Sequence, residues 1–170
     1  AQPAGCAIGG ERGKGVKSRP LKVLGVVLRV TVLSALLSLA AGAEVPKLPE
    51  SQEAQAIIWK VEEIFRTHPD RTEQCALLLN QVLEKYPGTH QAAVALAFLS
   101  YGHHAVLKQM DMAEQYQARL EKEFPDSLAL GESLILHGEA YEKESNFEKA
   151  RQSYERAIQV LDKHLPGRYA

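Results

Sequence analysis

Three alanines, Ala76, Ala113 and Ala150, stand 37 residues apart, and the apolar positions seven further on, Leu83, Leu120 and Ala157, keep the same interval. A recurrence of about 20–50 residues in a helical pattern means stacked supersecondary units, none of which buries its apolar face alone. Pro and Gly mark the stops between units: His68-Pro69-Asp70, Tyr86-Pro87-Gly88 and Pro125-Asp126, with further breaks over Gln109 to Asp111 and at Ser145-Asn146. They leave six helices, over about 51–67, 72–86, 90–107, 111–124, 127–144 and 147–164. Ser51, Thr89, Asp111, Ser127 and Asn146 stand at helix starts, where a short polar side chain accepts hydrogen bonds from free amides. The fold expected is all-α, a right-handed α-solenoid of about three helix-turn-helix repeats with a period of about 37 residues.

The second helices end in related phrases, "KYPGT", "EFPDS" and "KHLPG". In the third unit Leu134, Gly138, Tyr141, Ala150, Tyr154 and Ala157 fall at the small and large positions of the tetratricopeptide repeat, and the region 51–166 resembles that family. Gly138 and Ala150 let two helices approach, Tyr141 and Tyr154 fill the groove beside them, and Ala157 makes room for the next pair. The second unit departs by one residue, Gly102 lying 11 rather than 12 before Ala113. The first is weaker still, with Trp59, Val61, Ile64 and Phe65 forming an apolar face and no matching glycine.

The resemblance implies a concave face, built from the first helix of each pair, on which partner peptides lie. Its positions carry over to Leu96, Leu99, His103 and Val106 in unit two and to Glu132, Ile135, Glu139 and Glu142 in unit three. Unit one would add Ile58, Val61, Phe65 and His68. Such a groove is apolar at one end and acidic at the other and suits a peptide with apolar anchors and some basic character. In the alternative, the apolar part packs internally or under the 44–50 linker. The glutamates argue against the members that clamp acidic chaperone tails with Lys, Arg and Asn.

Charge divides the chain. Residues 1–43 carry six basic side chains against the single acid Glu11, so the body from Glu44 onward has a net charge near −6. An acidic body without a basic stripe repels phosphate backbones, and no nucleic-acid partner is expected. Residues 1–22 are rich in Gly and charge and read as a disordered basic extension, or as sequence ahead of the true translation start. Residues 23–43 end in an uncharged run of 14, from Val30, that closes on Ala41-Gly42-Ala43. Basic flank, apolar run and small-x-small ending are the parts of a secretory signal cleaved after Ala43. A retained membrane anchor is the alternative, although Arg29 interrupts the span. Residues 44–50 are then a linker and 167–170 a tail. "PAGC", ending at Cys6, has no apolar run ahead of it and does not make a lipoprotein site.

No catalytic constellation is present, since the chain lacks a nucleophile elbow, a phosphate-cradling glycine loop and a Cys-x-x-Cys pair. No cofactor is implied. A metal drawn across His103, His137 and a glutamate lacks the same-face spacing of helical zinc sites. Cys75, in "EQCALLLNQVL", reads as a buried inert thiol, with a reactive or intermolecular thiol as the alternative. In the last helix Ile158, Val160, Leu161 and Leu165 exceed what one face can bury, which leaves a surface for a homo-oligomer or a docked partner.

The function expected is a non-catalytic protein-interaction module, periplasmic or secreted. Its resemblance to the tetratricopeptide proteins of bacterial envelopes rests on the signal-like segment and on "YPGT" and "FPDS". The alternatives are a self-assembling spacer and an accessory subunit of an exported enzyme.

Overall fold

Residues 47–68 and 70–164 are described by the computed structural model, and every regular element among them is helical. Readings that concern residues 1–46 and 165–170, including the signal, the anchor and Leu165, lie outside the described residues. The helices are α1 (Gln52–Thr67), α2 (Thr72–Lys85), α3 (His90–Tyr101), α4 (Met110–Glu123), α5 (Leu128–Lys143) and α6 (Phe147–Asp162). A π-helical turn over Gly102–Val106 prolongs α3. None of these helices is long and apolar enough to cross a membrane.

Three helix starts recur at one interval. Ser51, Thr89 and Ser127 each accept a hydrogen bond from the amide three residues on, at Ala54, Ala92 and Leu130. They stand 38 residues apart, not 37. Each cap satisfies an amide that the helix itself leaves unpaired, worth about 1 kcal/mol. Asn146 caps α6 in the same way. Asp111 is not a cap; it lies in the first turn of α4, behind Gln109, whose side chain makes no capping bond.

Helices pair in order, α1 with α2, α3 with α4 and α5 with α6, and the first helices also meet, α1 on α3 and α3 on α5. That arrangement explains why α3 buries nine of its twelve residues whereas α4 buries two of fourteen: α3 has neighbours on opposite sides. Ala95, Phe98 and Leu99 face a core shared with Ile58, Val61, Leu79 and Val82. Ala92, Ala93 and Leu96 face a second core with Leu120, Leu130, Leu134 and Ala157.

The 38-residue register corrects two expectations. Cys75, not Ala76, is the first unit's counterpart of Ala113 and Ala150; Cys75 is buried and Ala76 only half-buried. Similarly, Gly102 is not the counterpart of Gly138. That place belongs to Ser100, which is fully buried beside Gln117, as Gly138 is beside Tyr154. The second unit has one residue more than the third between its cap and the turn into its second helix. The π-helical turn absorbs it, since such a turn is a one-residue insertion into an α-helix. Both turns then close on a left-handed residue, Lys108 (φ 58°) and Ser145 (φ 60°), 37 positions apart.

Candidate functional site

With the caps aligned, Glu132, Ile135 and Glu139 of α5 correspond to Val94, Ala97 and Tyr101 of α3. The two helices are neighbours, and Val94, Ala97 and Phe98 face Ala129, Glu132, Ser133 and Leu136 across a narrow apolar groove with room for about one water molecule. Toward the C-terminal end of the pair the groove becomes acidic. Burial, then Glu139, raises the Tyr101 hydroxyl above its ordinary range. The Tyr154 hydroxyl is pushed up to about 12 by burial and by its hydrogen bond with Glu142, with Glu139 adding to the effect. Glu139 of α5 thus acts on a phenol on either side, Tyr101 of α3 and Tyr154 of α6.

Of the concave-face residues expected from sequence, the structure separates more than it joins. Leu96 and Leu99 point into the two cores and are inaccessible, as are Ile58 and Val61 of the first unit. Phe65 packs against the first core and His68 is the exposed C-cap of α1. His103 stacks on Tyr116, ring centroids 5.3 Å apart, and its Nδ1 lies 2.8 Å from Gln109 Oε1. Val106 is exposed at the end of the π-helical turn. Glu132 is buried, Ile135 and Glu139 are half-buried, and Glu142 is exposed. With the caps aligned, Val94, Ala97 and Tyr101 stand level with Glu132, Ile135 and Glu139, two positions before Leu96, Leu99 and His103. The 38-residue spacing of Ser51, Thr89 and Ser127 is the signal in the sequence that sets these two rows level.

A second cluster lies beneath this end. His104, on the π-helical turn, is fully buried, and His137 of α5 nearly so. Their Nδ1 atoms lie 2.7 Å apart and their rings stack with centroids 4.9 Å apart. His137 Nε2 is 2.7 Å from Ser100 Oγ, and Ser100 Oγ is 2.9 Å from the Ala113 carbonyl. His104 Nε2 faces Glu144 Oε2 at 3.3 Å, while Lys108 Nζ donates to the other oxygen of Glu144 at 2.7 Å. Tyr141 covers the His104 ring at 4.6 Å between centroids.

Electrostatics follow from this enclosure. Burial, and next the His104 ring, push His137 down to about 4, with Glu121 pulling weakly the other way. The Lys108 hydrogen bond holds Glu144 below the usual carboxylate range, against burial and with help from His104. Both neutral rings fit one hydrogen-bond order: Ser100 donates to His137 Nε2, His137 Nδ1–H donates to His104 Nδ1, and His104 Nε2–H donates to Glu144. The reverse order would set a bare nitrogen against a carboxylate.

The metal cluster of His103, His137 and a glutamate, which the spacing spoke against, drew the wrong one of two adjacent histidines toward His137; the structure pairs His104 with it. The π-helical turn rotates His104 inward, a change that no α-helical projection contains. Among the described residues no group of three or more His, Cys, Asp or Glu side chains could hold a metal. Cys75 is the buried thiol of the first reading, pushed up to about 11 by burial, and so stays protonated and unreactive.

Comparison of the chain with protein-family models, with curated proteins and with solved structures finds no match.

Proposed function

We propose that this chain is a non-catalytic protein-interaction module, a short solenoid of three tetratricopeptide-like helix pairs that holds a peptide along its first helices. The observation that carries the reading is the register: capped first helices recur every 38 residues and lie side by side, α1 on α3 on α5. Helices stacked in this way present one side chain per turn from each repeat on a common face. On that face Val94, Tyr101 and Ile135 are half-buried, and Glu142 lies exposed beside Tyr154. Apolar surface ending in carboxylates and phenols suits a peptide with apolar anchors and a basic residue. The signal-like segment ahead of the domain supports delivery to the cell envelope or beyond.

Affinity capture with the full chain, tagged at its C-terminus, tests the reading. A single reproducible partner, lost from the Glu142→Lys variant, is the expected result. Recovery of the same partner at the same level by that variant would remove this face from the account.

A self-assembling spacer is the second reading, favoured by Phe147 and Ile158, both exposed on α6. Sedimentation over a range of concentrations separates the two, because only the spacer grows with concentration.

A further inference from the structure

Two buried imidazoles in direct contact are a poor choice for rigidity alone. The position of His137 is filled in the second unit by Leu99, which packs without polar partners. The histidines sit where the π-helical turn of the second helix pair meets α5 of the third. Neither ring has an unpaired nitrogen, and among the described residues no buried side-chain nitrogen or oxygen lacks a partner. The contact is therefore a complete chain whose direction depends on where its protons are.

The geometry points to an acid-sensitive joint: the His104–His137 contact holds the second helix pair to the third while at least one of the facing Nδ1 atoms is bare, and it opens when both carry protons.

One added proton is tolerated without moving a heavy atom. It sits on His104, whose Nδ1–H donates to His137 Nδ1; the hydrogen of neutral His137 is then on Nε2 and donates to Ser100, which turns its own hydrogen to the Ala113 carbonyl at 2.9 Å. Two added protons are not tolerated. Two N–H groups would then face each other across 2.7 Å, with no acceptor between them and like charges on both rings.

Neighbouring charges do not relieve this. At the C-cap of α5, Glu144 faces His104, but Lys108 already holds its other oxygen at 2.7 Å. On α4, Glu121 acts on His137 and is paired with Arg156 of α6 at 2.7 Å. Glu114 of α4 acts on Tyr141, which covers the His104 ring. From α6, Lys149 stands 5.4 Å over the Tyr141 ring and adds positive charge. From α3 and α4, Ser100 and Gln117 contribute only neutral dipoles. Two imidazolium charges thus meet two carboxylates, each already engaged by a cation. The low value for His137 agrees with a ring kept neutral until the medium is acidic.

Amide hydrogen exchange on the full chain, followed from neutral pH to about pH 4 and corrected for intrinsic rates, tests the joint. The expected result is an acid-induced loss of protection of at least about tenfold over 102–106 and 128–162, with 52–85 retained. The double variant His104→Phe, His137→Leu has nothing to titrate at the joint and should keep its protection at that pH. Loss over all helices together, or no loss, in the unaltered protein overturns the proposal, whether or not the variant folds. A folded double variant that loses the same segment at the same pH overturns it as well.

Discussion

At the scale of single residues, His137 and Gly138 are adjacent and act through opposite physical effects. His137 titrates at about 4 in the fold and at its ordinary 6.5 in the unfolded chain. Between these values the unfolded chain binds a proton that the native state refuses. Stability is therefore complete above about pH 6.5 and falls as pH drops toward 4, by up to about 3 kcal/mol. Denaturation midpoints across that range should fall more steeply for the native sequence than for His137→Leu. Gly138 has no charge to titrate and matters by its size. A Cβ there would run into the Tyr154 ring, which is already fixed to Glu142. Gly138→Leu should cost about 1–3 kcal/mol by overpacking, seen as a lowered Tm; an unchanged Tm would mean that α5 and α6 do not approach this closely. The sequence reading identified Gly138 as a packing residue because its neighbours in the pattern were intact. It missed Ser100 because a serine in a glycine's place carries no signal by itself.

At the scale of elements, the turns between paired helices are the informative places. Lys108 and Ser145 occupy equivalent left-handed positions, where a side chain costs about 1 kcal/mol relative to glycine. Ser145→Gly should therefore raise stability by about 1 kcal/mol, read as a shift of the urea midpoint. Lys108→Gly should gain less, because it also removes the bond to Glu144. Helix limits were legible to within one or two residues, since Pro87, Gly88, Pro125 and the capping side chains stop and start helices by local chemistry. The π-helical turn was not legible. Its local sequence, Gly-His-His-Ala-Val, suits an α-helix equally well, and what distinguishes the wider turn is tertiary: His104 meets His137 and Glu144, and His103 stacks on Tyr116.

At the scale of the whole molecule, the first helices form the inner layer and the face on which a partner is proposed to lie. Glu142→Lys should cost no more than about 1 kcal/mol, the worth of its hydrogen bond with Tyr154 at an exposed site, while it abolishes capture of a basic peptide. An equal loss of Tm and capture would mark the residue as structural. The sequence by itself determined that the described chain is helical, where most helices begin and end, and that Cys75 is buried. Caps, prolines and apolar periodicity act over a few residues, so their effect is written locally. Only the tertiary structure decided that Ser51, Thr89 and Ser127 cap in step, that Leu96 and Leu99 are core, and that His104 meets His137. These depend on how one helix is rotated against another. A single inserted residue, absorbed by a loop in the first unit and by a π-helical turn in the second, changes that rotation without disturbing the local pattern.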